Sequence, residues 1–228
     1  MSVTRVSPDG ATTYSRSVLV VEDDDLLREL IAVALEGRGF RADTAATAAD
    51  AKRLFSRGDH DALVIDVNLG PGPTGFDLAD ALRQKAPHVA IVFLTNLPDP
   101  RFAGRKDAAI PSGVAYLRKS LLGDVDELFT ALDVVLRGHK ADAYRQDRDP
   151  ARPLAALTAK QLAVIALAAQ GKTNAQIAAE RGVSVKAIED TLGRAAQSMG
   201  INSETEGNLR VALVRRYLAA SLGDPSVA

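Results

Sequence analysis

The chain has 228 residues, 46% of them apolar and 25% charged, with a formal net charge of -1 and no cysteine. That length allows two ordinary domains with packed cores, and the lack of cysteine excludes disulfides and thiolate metal sites. No apolar run approaches a membrane span and the first sixteen residues are polar, so the expectation is a cytoplasmic protein with no membrane segment or signal peptide.

The charge is divided along the chain. Residues 1 to 150 hold 19 Lys+Arg against 23 Asp+Glu, a net of -4, whereas residues 151 to 228 hold 9 against 6, a net of +3. A mildly basic second half is compatible with nucleic acid binding without requiring it.

In chain order, residues 1–15 read as a disordered tail. Apolar runs at 18–21, 41–45, 62–65, 89–94 and 114–117 read as buried strands. They alternate with helix-period segments at 25–36, 47–57, 75–85 and 124–137. Strands alternating with helices predict an α/β domain over 16–138, a five-stranded, doubly wound parallel sheet. The fourth crossover, "NLPDPRFAGRKDAAIPSG", carries Pro98, Pro100, Gly104 and Pro111, so any helix there is short or irregular. Residues 139–153, "HKADAYRQDRDPARP", are charged without an apolar period and read as an exposed linker. Helical periods follow at 158–169, 173–181, 184–198 and 203–221, which predicts a small all-α domain of four helices over 154–221, then a tail over 222–228.

In an open α/β sheet the reactive site lies outside the carboxyl ends of the strands. The first strand is followed by Glu22, Asp23 and Asp24, the third by Asp66, the fourth by Thr95 and Asn96, and the fifth by Lys119. Gathered carboxylates repel unless a cation lies between them, and hard oxygen donors suit Mg2+. A carboxylate, a divalent ion, an ammonium and a hydroxyl make a site for receiving a phosphoryl group on Asp66. Taken singly, each residue has a plainer reading. Asp24 or Asp25 caps a helix, Asp66 is a turn residue, Thr95 satisfies its own backbone and Lys119 is a solvated charge. His60, His88 and His139 show no ligand or triad spacing and read as surface residues.

The segments "VLVVEDDDLLREL", "LVIDVNLGPGPTGFDL", "IVFLTN" and "VAYLRKS", falling in order on four strands, resemble the receiver domain of bacterial two-component response regulators, a flavodoxin-like fold. The resemblance implies that Asp66 is the phosphoacceptor, supplied by a sensor histidine kinase. It implies that Glu22, Asp23, Asp66 and the backbone carbonyl of Asn68 hold Mg2+. Thr95 and Lys119 would engage the phosphoryl oxygens, and Tyr116 would turn inward as Thr95 follows the phosphate; from the residues alone, Tyr116 is equally a partly buried edge tyrosine. The chain departs from the family at Asn96, where a small residue is usual, at Ser120, where proline is usual, in the proline-broken fourth helix, and in a loop after Asp66 one residue longer than usual.

In the second half, Ala178, Gly182 and Ile188 are spaced as A-x3-G-x5-I. A small residue at a close helix crossing, a glycine turn and an apolar anchor make a helix-turn-helix, with Ser184 capping the second helix. A plain helical hairpin satisfies the same spacing. The stretch "LTAKQLAVIALAAQGKTNAQIAAERGVSVKAIEDTLGRAAQSMGI" resembles the LuxR-type DNA-binding domain of the NarL/FixJ family. The resemblance implies a third helix that reads the major groove, a fourth that often forms a dimer contact, and DNA contacts drawn from Thr173, Asn174, Ser184, Lys186, Glu189, Asp190 and Arg194. Val185, Ile188, Leu192, Ala195 and Met199 form the expected buried stripe of the third helix, leaving Lys186, Glu189, Asp190, Gly193, Arg194 and Gln197 outward. Glu189 and Asp190 stand where the family generally has Lys and Asn, Ala187 where it has Thr, and Gln161 where it has Glu.

Two functions follow as expectations. The first is a phosphorylation-controlled transcription factor that binds DNA as a homodimer when active. It is a phosphoacceptor with at most slow autodephosphorylation, not an enzyme. The second is a signalling adaptor whose helical domain has lost DNA binding through Glu189 and Asp190 and binds a protein partner.

Overall fold

The computed structural model describes residues 5–6, 12–13, 15–105, 110–111 and 113–223. Over these residues the chain forms two compact units. The first takes in Met1–Thr95, Pro111–Leu117 and Leu121–Arg145, and the second Asn96–Ile110, Arg118–Ser120 and Gln146–Ala228.

In the first unit, β1 (Arg5–Val6) pairs antiparallel with β2 (Thr12–Thr13), where a structureless tail was expected; the rest of 1–14 lies outside the described residues. A five-stranded sheet is built from β3 (Ser17–Val21), β4 (Arg41–Ala45), β5 (Ala62–Ile65), β6 (Ala90–Thr95) and β7 (Ala115–Arg118), in the order β4-β3-β5-β6-β7. The registered pairs β3/β4, β3/β5 and β5/β6 are all parallel. The order reverses between β3 and β5, which opens a crevice at their carboxyl ends.

The crossovers are α1 (Asp25–Gly37), α2 (Ala48–Phe55) and α3 (Gly75–Lys85), with α4 (Val125–Leu136) after β7. Side chains alternate along each strand. Val18, Val20, Val64, Val92, Leu94 and Leu117 enter one core with Ile31 and Leu35 of α1 and Leu128 and Leu132 of α4. On the alternate positions Phe93 and Tyr116 join Phe76 of α3 in an aromatic cluster, the Phe76 and Phe93 rings meeting edge to face at 4.7 Å. Local chemistry starts each helix: Asp24 accepts from Leu27 N at 2.9 Å, Thr47 from Asp50 N, and Thr74 forms a capping box with Asp77.

Between β6 and β7 the described residues hold only a 3-10 turn, Pro100–Ala103, capped by Asp99 and ended by Gly104 at φ 74°. The stretch 139–153, expected as an exposed linker, is partly built in. It carries 3-10 turns at Asp142–Tyr144 and Gln146–Arg148 and buries Ala141, Arg145 and Asp147.

The second unit holds α5 (Ala159–Ala169), α6 (Asn174–Arg181), α7 (Val185–Ser198), α8 (Ser203–Glu206) and α9 (Leu209–Leu222). Leu162, Ile165, Ile177, Ile188, Leu192 and Leu213 are central to its core. Two corrections apply here. The single helix expected over 203–221 is interrupted by Gly207 at φ 70°, and Asn208 caps α9 by accepting from Arg210 N and Val211 N. Val185, expected in the buried stripe, is 41% exposed, because the first residue of α7 sits before the helix meets its neighbours.

Candidate functional site

The backbone ladder sets the acidic residues side by side. Asp66 N donates to Val21 O at 2.8 Å and Glu22 N to Ala45 O at 3.1 Å, so the residues that end β3 and β5 leave the sheet at one place. Carboxylate oxygens of Glu22, Asp23 and Asp66 all lie within 4.8 Å of one another. Glu22 and Asp66 are buried and Asp23 is exposed. Asn68 is exposed, and its backbone N–H donates to Asp66 Oδ1 at 3.0 Å, which orients the Asp66 carboxylate.

Arg28 lies one turn into α1 and donates to the Glu22 carbonyl at 2.8 Å and to the Asp25 carboxylate. It ties the start of α1 to the end of β3. The loop after Asp66 approaches from the other side: a Cβ on Gly70, at φ 75°, would stand 3.7 Å from Asp23 Oδ2.

The approach of α3 is closer. A Cβ on Gly75 would meet the Asp66 carbonyl oxygen at 2.1 Å and Ile65 Cγ2 at 2.8 Å, while Gly75 N donates to Val67 O at 2.8 Å. The obstacle is backbone, so no rotamer change relieves it. Gly75→Ala is therefore expected to destabilise the chain by about 1–3 kcal/mol, the usual cost of overpacking, and to displace Asp66. Urea unfolding checks the first effect; wild-type stability in the variant would mean that the loop yields freely.

Thr95 ends β6 and is fully buried, Tyr116 in β7 is fully buried among Phe76 and Phe93, and half-buried Lys119 follows β7 at the start of a 3-10 turn. Thr95 and Tyr116 belong to the first unit and Lys119 to the second.

In the helical unit, Gly182 takes the left-handed conformation at φ 63° and turns the chain from α6 into α7, with Ala178 and Ile188 buried on either side. Three of the expected DNA-contact residues have structural work at helix ends. Thr173 caps α6 in a capping box with Gln176, Ser184 accepts from Ala187 N at 3.2 Å, and Asn174 accepts from Arg210 at 2.5 Å. Gln161, which departs from the family pattern, makes the same box with Thr158.

The other four, Lys186, Glu189, Asp190 and Arg194, are exposed on α7. Asp190 lies 3.5 Å from Lys186 and offsets its charge. Further bases are also engaged: Lys172 with Glu180, and Arg216 with Glu206 at 2.7 Å.

One buried histidine escapes sequence reasoning. His60, expected at the surface, has its ring buried against Phe55 and its Nε2 2.9 Å from Asp43. The partner stands on β4, 17 residues away, and no local pattern announces it.

The profile of the response regulator receiver domain matches residues 18–133. That of the bacterial regulatory proteins of the luxR family matches residues 155–208. Transcriptional regulatory protein TcrA of Mycobacterium tuberculosis is 35% identical over 122 residues, 53% of this chain and 46% of that one. The chain thus spans about half the length of the first curated relatives. Transcriptional regulatory protein FixJ of Azorhizobium caulinodans is 29% identical over 182 residues, 77% of this chain and 82% of that one. In fold, the chain is similar to RcsB from Salmonella enterica serovar Typhimurium, solved bound to promoter rprA with phosphomimetic BeF3-, at a TM-score of 0.58 and 18% identity over 90% of this chain and all of that one. Among the described residues no helix is long and apolar enough to cross a membrane. With both profiles matched in this order, the chain belongs to the response regulators of the NarL/FixJ type, a receiver domain followed by a LuxR-type helix-turn-helix.

Proposed function

We propose that the protein is a transcription regulator whose DNA binding is controlled by phosphorylation of Asp66, with a sensor histidine kinase as donor. The observation that carries the reading is the convergence of Glu22, Asp23 and Asp66 within 4.8 Å at the carboxyl ends of β3 and β5. Carboxylates at that spacing, two of them buried, favour a cation between them, and an all-oxygen donor set suits Mg2+. Glu22, Asp23, Asp66 and the carbonyl of Asn68 would hold it, and when bound the ion would neutralise charge on the incoming phosphoryl group.

The protein's own part is to present one fixed carboxylate oxygen. As that oxygen bonds to phosphorus, the phosphorus–nitrogen bond of the donor histidine breaks and the electron pair returns to the imidazole. Thr95 and Lys119 are assigned to the phosphoryl oxygens and Tyr116 to the space beside Thr95. The output is assigned to α7, with Lys186 and Arg194 toward the DNA backbone and a homodimer as the active form.

The ion pair of Lys186 with Asp190 and the exposed Glu189 favour a second reading, in which the helical unit binds a protein. Selection from fragmented genomic DNA at low salt, with the acetyl phosphate-treated chain, separates the two. Enrichment of a shared sequence is expected; no enrichment together with binding that stays weak as salt falls would overturn the DNA reading.

A further inference from the structure

Of the chain between β6 and β7, Asn96–Ile110 belongs to the second unit, and its described residues make specific contacts there. Asp99 is 2% exposed. Its carboxylate receives Arg101 Nη2 at 2.6 Å and Arg152 Nε at 2.8 Å. Burial pushes the Asp99 carboxyl up, but hydrogen bonds from Arg101 and Arg152 and the Arg101 charge outweigh it and hold the carboxyl below its ordinary value.

Arg101 reaches further, donating to Leu157 O and, at 3.4 Å, to Leu154 O. Leu154 has φ 57°, the one non-glycine residue with positive φ among the described residues, a backbone state that costs a leucine energy and persists only where its surroundings impose it. Beside this, the Phe102 ring stacks on Tyr217 of α9 at 5.3 Å and 12°. At the segment's start Asn96 meets the end of α9, where a Cβ on Gly223 would stand 3.1 Å from Asn96 Oδ1.

A buried carboxylate between two guanidiniums adds little net stability over apolar packing, and its best-attested use is to fix one arrangement against another. The residue before this segment is Thr95. We propose that residues 96–103 act as a latch. Seated, Arg101, fixed by Asp99, holds the strained turn at Leu154 and Phe102 holds one side of α9; a shift of Thr95 on phosphorylation withdraws them and loosens both. This rests on the roles of Asp66 and Thr95 given under Proposed function. The segment joins the phosphate-sensing residue to the helical unit by continuous chain, and the strain at Leu154 biases the helical unit toward release once Arg101 leaves.

Hydrogen exchange of the full chain, read by mass spectrometry with and without acetyl phosphate, tests the latch while intact mass reports phosphate uptake. On phosphorylation, peptides spanning 154–162 and 209–222 are expected to exchange about tenfold faster, a change of local stability well within the range of sub-global opening. Asp99→Asn and Phe102→Leu are expected to show that acceleration without acetyl phosphate and to take up phosphate normally. Asp99→Asn removes the counter-charge of two half-buried guanidiniums, so if it unfolds, Phe102→Leu, which keeps an apolar side chain, decides. Full phosphate uptake with unchanged exchange overturns the latch and leaves the phosphoacceptor standing. No uptake removes the phosphoacceptor, and phosphorylation-driven release falls with it.

Discussion

Asp66→Asn is expected to abolish phosphate uptake from acetyl phosphate, as read by intact mass, and to reduce the gain in thermal stability that Mg2+ gives the wild type. Both effects follow from the buried pair. Carboxylates of Glu22 and Asp66 within 4.8 Å of each other favour a cation between them, and a ligand at a hundred times its Kd stabilises the folded chain by about 2.7 kcal/mol. An amide in place of the Asp66 carboxylate neither bonds productively to phosphorus nor carries the charge that draws the metal. Retained uptake would mean that another residue is the acceptor, and an equal Mg2+ gain in both proteins would mean that Asp66 is not among the ligands.

The features legible in the sequence are those whose causes lie within a few residues. Strand 62–65 is an unbroken apolar run and is found at Ala62–Ile65, because a central strand buried on both faces cannot carry a polar position. Thr158, Thr173 and Ser184 announce helix starts through bonds three residues on. The acidic site was legible for a related reason: strand ends in a parallel sheet lie together, so residues distant in sequence are placed by topology alone.

Long-range pairing was not legible. Asp99 finds Arg152 across 53 residues and Phe102 finds Tyr217, and neither shows in any local period. Prolines in the fourth crossover predicted a broken helix, and the 3-10 turn there bears this out; what the break allows, namely packing with residues of the second unit, required the fold. The interruption of the last helix was within reach, since Gly207 followed by Asn208 is a stop and a cap, but the apolar period on either side masked it.

The acidic residues of α7 lead to the second large effect. Glu189→Lys combined with Asp190→Asn is expected to raise DNA affinity about 10- to 100-fold at low salt and to steepen the dependence of log affinity on log salt by roughly 0.9 for each further phosphate that the protein neutralises. The double variant adds +2 at position 189 and +1 at position 190, and it also releases Lys186, whose ammonium lies 3.5 Å from the Asp190 carboxylate with its side chain 82% exposed. An exposed pair of this kind contributes little to stability, so the fold is expected to survive and the change in affinity reports on binding. The other engaged bases differ: Arg210 is bound to Asn174 and to the Lys172 carbonyl, where it braces α9 against the start of α6, and freeing it would cost structure. Filter binding or fluorescence anisotropy across a salt series measures both quantities. If neither affinity nor slope changes, α7 does not face DNA, and the protein-binding reading of the helical unit takes its place; if the slope steepens while sequence preference is lost, Glu189 and Asp190 are selecting bases, as acceptors for cytosine N4 can.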